Sequence, residues 1–402
     1  MEYRSSTATE SDRPVRPGGT PPRKGRGKAP WWARLMVIFG ALMMIASGGL
    51  IIGYKSIVAQ ATSGIRRADL LPDAPGRQHV TINGPKNILL VGVDSRPGQN
   101  PNEPVRADSI IILHVPSTHD RGFLVSLPRD SYVQIPAFDN GKTRTSRHED
   151  KINAAFADGG LGLTGDAGRA KAFQLLTMTI TNLTGITFDA GAIVDFDGFR
   201  QVMNVLHGVT MCVDEQTTSI HNGYDKNGKV VSPSYRLRND FTPDRPLPGV
   251  TPKVYKPGCY HLEPWEALDY VRQRDLLAKG DGDYGRQRHQ QQFLKAVFKE
   301  ITSAGVLTDL PKLNSVLKTV GNAMTLDDGG IPVEDWVYAM RGMAAGNLVT
   351  VKTNGGQFHP ETIHGVSYET LSQESLDLLT AIKNDNVETF ISGHESWVSA
   401  DS

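Results

Sequence analysis

From Leu35 to Tyr54 the chain runs 20 residues, LMVIFGALMMIASGGLIIGY, without a charge. Wound as a helix, that length reaches about 30 Å, the thickness of a bilayer core. The rival readings are a buried core helix and a signal peptide, whose apolar region would be shorter and end at a small-residue cleavage site. Trp31, Trp32 and Tyr54 stand where interfacial aromatics belong. The sequence therefore predicts one retained transmembrane helix over residues 35–54. Gly49 and Gly53 form a GxxxG pair, but that spacing arises by chance in apolar helices and assigns no dimer.

Residues 1–34 are Pro, Gly, Ser, Thr and basic residues, too poor in apolar groups to offset chain entropy, and are expected to be a disordered tail. Eight of the 43 basic residues and three of the 43 acidic ones lie there. The positive-inside rule leaves such a tail in the cytoplasm, with a single-pass anchor in the cell membrane and the remainder outside. Beyond the tail 35 basic residues face 40 acidic ones, a net of −5 that argues against nucleic acid as a partner. Residues 55–85 read as a juxtamembrane linker and 86–402 as one extracytoplasmic domain.

Within that domain Asn87–Val93, Ser109–Val115 and Gly122–Leu127 are short β-branched runs, apolar on both faces, as central strands covered on both sides would be. Ala190–Phe196 reads as a fourth strand. Helical patterns cover Arg169–Leu183, Phe199–Leu206, Pro264–Tyr270, His289–Ser303 and Thr370–Lys383, and Glu215–Pro257 looks like a long surface insertion. The expected class is α/β, an α-β-α sandwich around a central mixed sheet. Cys212 and Cys259 flank the insertion. An oxidising exterior favours a disulfide between them, the alternative being two buried thiols.

Four segments concentrate Asp and Arg in ways a packed core does not need: Gly92–Arg96, Arg106–Ser109, Ser126–Tyr132, and Val271–Arg274 followed by Asp283–Gln290. Strand ends on one edge of an α/β sheet are where ligands bind. Carboxylates hold Mg²⁺ and leave positions open for phosphate oxygens, which guanidinium groups match as a fork. Each segment alone also reads as a polar turn; together they point to a metal and a phosphorylated ligand. Residues i and i+2 share a face on an extended chain and not on a helix. If Arg272 and Arg274 clamp one pyrophosphate, the helix before them has to end near Tyr270 and the chain has to continue extended. Arg286 and Gln290, four apart, share a face of the next helix near its N-terminus.

The ordered set GVDSR, RADS, SLPRDSY, KINAAF, VDFDGF, HGVTMCV, VRQR and DYGRQRHQQQF, from about residue 87 to 304, resembles the LytR-CpsA-Psr family, and the cysteine pair resembles its members from high-GC Gram-positive bacteria. The resemblance implies a Mg²⁺-dependent phosphotransferase, Mn²⁺ being an alternative ion. Its donor would be a glycopolymer on a polyprenyl-pyrophosphate carrier and its acceptor a peptidoglycan hydroxyl. By motif, Asp94 and Asp108 would bind the metal, and Arg106, Arg129, Arg272, Arg274, Arg286 and Gln290 the pyrophosphate. Two departures stand out. His207-Gly208-Val209 replaces the family's Gly-Gly-Val, and His289 stands where Arg is frequent.

A carboxylate near the acceptor would take its proton, and Asp94 and Asp130 are both candidates. The lipid tail needs an apolar slot, which the helices at Phe173–Leu183 and Phe199–Leu206 would line, though the same residues read equally as core. Gly223–Lys229 (GYDKNGK) nearly spells a P-loop but lacks the following Ser or Thr and the strand–helix setting. His359 and His364 show no metal-binding helix spacing. The competing readings are a polyprenyl-pyrophosphate hydrolase using the same site, and a non-catalytic lipid-binding envelope regulator.

Overall fold

The computed structural model describes residues 66–67, 82–93, 105–302, 324–327, 329–331, 336 and 347–399. The expected tail and anchor and Asp94 lie outside these residues, as does nearly all of the linker. By its internal contacts the chain divides after Lys55, and every described residue belongs to the second unit, Ser56–Ser402. Among the described residues no helix is long and apolar enough to cross a membrane.

Seven strands make the central sheet: β1 (Arg66–Arg67), β2 (Lys86–Val93), β3 (Ala107–Val115), β4 (Gly122–Leu127), β5 (Ala190–Asp195), β6 (Met324–Asp327) and β7 (Leu348–Lys352). Their order is β1-β6-β5-β2-β3-β4-β7. β3 is antiparallel to both β2 and β4, whereas β5 pairs with β2, and β7 with β4, in parallel. The sheet is therefore mixed, as the sequence predicts. Alternation along its strands divides their side chains between two faces. Leu89, Val91, Val93, Ile110 and Ile112 enter one large core, while Ile88 joins Ala190, Ile331 and Trp336 in another.

The large core is closed by α1 (Ile152–Gly159), α2 (Gly165–Thr184) and α6 (Gln373–Lys383), which contribute Phe156, Phe173, Leu176, Ile180, Leu378 and Ile382. The α1–α2 contact runs backbone to backbone: a Cβ on Gly159 would fall 2.5 Å from the Lys171 carbonyl. α3 (Phe196–Leu206), α4 (Pro264–Tyr270) and α5 (Gly282–Thr302) build a second core around Met203, Leu206, Tyr270 and Phe293. Burying either set removes apolar surface from water at roughly 25 cal/mol per Å².

Local chemistry sets the ends of these helices. The Asp195 carboxylate caps α3 by accepting from the Gly198 N–H at 2.8 Å, and an Arg169–Asp195 ion pair at 2.9 Å ties α3 to α2. Pro264 opens α4 inside a Glu263/Glu266 capping box. α5 begins at Gly282, seven residues before its expected start, because its first two turns carry Asp, Arg and Gln and show no apolar period. α1 is not foreseen at all, since eight residues ending in Gly give too short a pattern.

The segment 215–257 is not a plain loop. Thr217–Tyr224 pairs with Val230–Val231 and Thr251–Tyr255, and Tyr235–Leu237 pairs with Pro243–Pro246. Its Gly, Asn and Asp residues are turn residues between strands. Asp225 accepts from the N–H groups of Asn227, Gly228 and Lys229, so the GYDKNGK run is a hairpin turn whose amides at these positions are already used. Cys212 and Cys259 stand opposite each other in the antiparallel pair Val209–Val213 and Gly258–Leu262, and are disulfide-bonded.

Candidate active site

A cavity of about 390 Å³ opens between the sheet and the α3–α5 layer. Its apolar wall includes Leu90, Ile111, Phe199, Ile220, Phe241 and Phe293, and its polar wall includes Asp108, Arg129, Arg272, Arg274, Arg286 and Gln290. Six expected site residues, far apart in sequence, thus line one space. Phe199 contributes to the apolar wall as expected. Phe173 does not, being fully buried in the large core.

Each polar residue reaches the cavity for a local reason. Asp108 enters β3 and Arg129 leaves β4, neighbouring strands in the sheet. Arg129 Nη1 donates to Asp108 Oδ1 at 2.5 Å, and its Nε lies 3.6 Å from Asp130 and 3.7 Å from Asp283. Arg286, on the first turns of α5, donates from Nη2 to the Asp108 carbonyl at 3.0 Å and pairs with Asp283 at 2.7 Å. α4 ends at Tyr270, as the paired-arginine reading requires, but the chain does not continue extended at once. Val271 keeps a right-handed helical conformation, and the Arg272 and Gln273 amides donate back to the Asp269 and Tyr270 carbonyls in a turn. Gln273 is tucked inward, 1% exposed, while its neighbours Arg272 and Arg274 line the cavity.

The electrostatics are those of a cationic nest in an acidic domain. Burial pushes the Arg129 guanidinium down, but the carboxylates of Asp283, Asp108 and Asp130 more than offset this and raise it. Burial would raise Asp283, yet Arg286 and Arg129 hold it below its usual range. Arg286 is the reverse case: desolvation lowers it despite Asp283. Among the described residues, the Nε groups of Arg129 and Arg286 and Oε1 of Gln290 are buried without a hydrogen-bond partner. Buried polar atoms left without a partner are costly, so the cluster carries strain that its ion pairs only partly offset. Guanidinium N–H groups suit phosphate oxygens.

The other expected residues lie differently. Arg106 directs Nη1 to the Asn153 side chain at 3.3 Å and is not on the cavity wall. Asp130 pairs with Lys151 at 2.9 Å and lines a smaller neighbouring pocket. His289 is fully buried and stacks on Tyr270 with ring centroids 4.2 Å apart, away from the cavity. Its imidazole sits with Asp214 and Glu215 in a group whose ligand atoms all lie within 4.8 Å of one another. Those carboxylates already have counter-charges: Arg288 bridges Asp214, Glu215 and Asp281, and Lys279 pairs with Asp214.

Sequence reasoning missed Asp283 as an arginine partner, although its place three residues before Arg286 on a helix was a usable signal. It also missed the network behind Gln273. Ser219 and Asn222, which share the Asp269 carboxylate with Gln273, come from a strand some 50 positions away in sequence and carry no local signature.

The profile of the LytR_cpsA_psr family matches residues 57–385. A polyisoprenyl-teichoic acid–peptidoglycan teichoic acid transferase TagU from Oceanobacillus iheyensis is 26% identical over 377 residues, covering 92% of this chain and 96% of that protein. The cell wall biosynthesis protein LcpA of Corynebacterium glutamicum is 26% identical over 371 residues, covering 85% of this chain and 64% of its own. Among solved structures, protein gbs0355 of Streptococcus agalactiae superposes with a TM-score of 0.53 at 22% identity, over 75% of this chain and 88% of that one. TagV of B. subtilis gives 0.50 at 21%, over 77% and 99%.

Proposed function

The chain belongs to the LytR-CpsA-Psr family, and from that premise we propose that it is a membrane-anchored phosphotransferase of the cell envelope. It moves a glycopolymer from a polyprenyl-pyrophosphate carrier to a peptidoglycan hydroxyl. One observation carries this reading: four arginines, a carboxylate and a glutamine from separate segments meet on the polar wall of a cavity whose other wall is apolar. A pyrophosphate carrying a hydrocarbon chain has that same division of character. The names of the relatives, teichoic acid transferase and cell wall biosynthesis protein, support it.

The donor set fits a hard divalent cation. Asp108 presents a carboxylate to the cavity, with Arg129 donating to its Oδ1 and Arg286 to its backbone carbonyl. Asp108, with Asp94, would hold Mg²⁺ or Mn²⁺, which when bound supplies charge neutralisation on the pyrophosphate.

Arg129, Arg272, Arg274 and Arg286 orient the pyrophosphate and meet the charge that builds on the transferred and leaving groups. Gln290 adds a neutral contact on the same helix face as Arg286. The acceptor oxygen bonds to the sugar-linked phosphorus, and the bond from that phosphorus to the bridging oxygen breaks. Polyprenyl monophosphate leaves with the electron pair, and the hydroxyl proton passes to a carboxylate. We take Asp130 for that role because it stands beside Arg129 and outside the cavity that receives the lipid.

The test is to reconstitute the full chain in lipid micelles with a polyprenyl-pyrophosphate oligosaccharide, peptidoglycan glycan strands and Mg²⁺. A phosphodiester joining the two glycans is the expected product. Free sugar phosphate would instead mean hydrolysis, and tight lipid binding without turnover would mean a regulator.

A further inference from the structure

Next to the cavity lies a second pocket of about 180 Å³, whose wall combines Asp130, Lys151 and Gln287 with Phe358 and Tyr368. Among the described residues none lines both spaces, but Arg129 joins them. Its Nη1 holds Asp108 on the cavity wall, and its Nε faces Asp130 and Asp283 on the pocket wall.

The aromatic rings are fixed from behind. Phe358, 48% exposed, meets Tyr284 edge-on at 5.0 Å, and the Tyr284 hydroxyl is itself anchored on Glu369 at 2.7 Å. Tyr368 meets Tyr132 edge-on at 4.9 Å, and Lys151 Nζ lies 5.9 Å from the centroid of the Tyr368 ring. The Tyr132 hydroxyl donates to Glu149 at 2.5 Å, which pushes its pKa up to about 12 and keeps it a neutral donor. Pre-set aromatic rings beside the Asp130–Lys151 pair match one ligand chemistry well. The apolar C–H face of a pyranose packs on such rings, and its hydroxyls take the charged groups.

We propose that this pocket is a pyranose-binding subsite and that the ring it holds belongs to the acceptor glycan. The inference rests on the transfer reading above. Displacement at phosphorus places the entering and leaving oxygens roughly in line, on opposite sides. The apolar cavity takes the polyprenyl phosphate, so the entering hydroxyl comes from the far side of Arg129. There the pocket lies, with the Asp130 carboxylate on its wall to receive the proton.

Phe358→Ala and Tyr368→Ala in the full chain test this, with donor and acceptor concentrations varied separately. The acceptor KM is expected to rise about tenfold, the scale of one lost ring contact, with less than a twofold change in donor KM and recovery in Phe358→Trp. A rise confined to the donor KM would assign the ring to the donor glycan and overturn the acceptor assignment. No change in either KM would overturn the subsite itself. Direct titration of peptidoglycan glycan strands into the wild type and Phe358→Ala separates this from the transfer reading. If the wild type makes no phosphodiester yet binds the strands, and Phe358→Ala binds them at least fivefold more weakly, the transfer reading falls and the glycan site stands. Equal binding by the two would overturn the site.

Discussion

Gln273 donates from Nε2 to both the carboxylate and the carbonyl of Asp269, at 3.0 and 2.9 Å, and its Oε1 accepts from the Ile220 N–H at 3.1 Å. The Asp269 carboxylate also accepts from Ser219, Asn222 and Tyr255 at 2.8–2.9 Å. Anchoring the middle residue inward is what turns the arginines on either side toward the cavity. Gln273→Ala leaves buried partners unsatisfied and should cost about 1–3 kcal/mol of stability. Donor KM should rise while acceptor KM stays put. Urea melts and initial rates would show both, and an unchanged donor KM would contradict the anchoring role.

Arg129 touches three carboxylates and joins both spaces. Arg129→Ala should lower turnover about 10²–10³-fold, the usual loss for one transition-state electrostatic group. Arg129→Lys should not restore it, because an ammonium lacks the planar fork. Circular dichroism would establish that each variant folds.

Asp283 is held below its ordinary carboxylate range by Arg286 and Arg129, whose charges overrule its burial. A folded pKa below the unfolded one means that the carboxylate's stabilising contribution is full above the ordinary value of 3.8 and is lost as pH falls through the lower folded value. Asp283→Asn should therefore be less stable than wild type at pH 6, and the gap should close below about pH 4. Thermal melts across that range decide it; a gap that persists undiminished at pH 2 would refute the pairing.

The Cys212–Cys259 bridge closes a sequence separation of 47. In the chain-entropy model, opening such a loop costs about 4 kcal/mol. The double variant Cys212→Ser/Cys259→Ser should show that loss in a denaturant midpoint. Alkylation of the unreduced protein should label no thiol in mass spectra.

His207 ends α3 in the left-handed region, at φ 58°, where glycine is the usual residue. Its side chain is exposed, and its backbone carbonyl accepts from His261. His207→Gly keeps that carbonyl and removes the strain, and should stabilise by about 0.5–1 kcal/mol after the entropy of the added glycine. A lower melting temperature would show that the side chain contributes more than the conformation costs. The departure from Gly-Gly-Val is thus a matter of backbone shape.

Much of this was legible in advance because it is written in short-range pattern. The apolar runs at β2, β3 and β4 declare buried strands, Pro264 marks a helix start, and the spacing of Arg286 and Gln290 declares a shared helix face. What escaped has no local period: α1 is too short, α5 opens on charged turns, and the strands within 217–255 hide among turn residues.

The sequence by itself determined the α/β class, the paired cysteines and the set of Asp and Arg residues from which a site can be drawn. Tertiary structure alone decided which of them share a space. It put Arg129 between Asp108, Asp130 and Asp283, turned Arg106 to Asn153, and buried His289 against Tyr270. It also brought Phe358 and Tyr368 beside Asp130 from more than 200 positions away. Side-chain direction at a strand end depends on what the neighbouring strands and helices leave open, and that is fixed only by long-range packing.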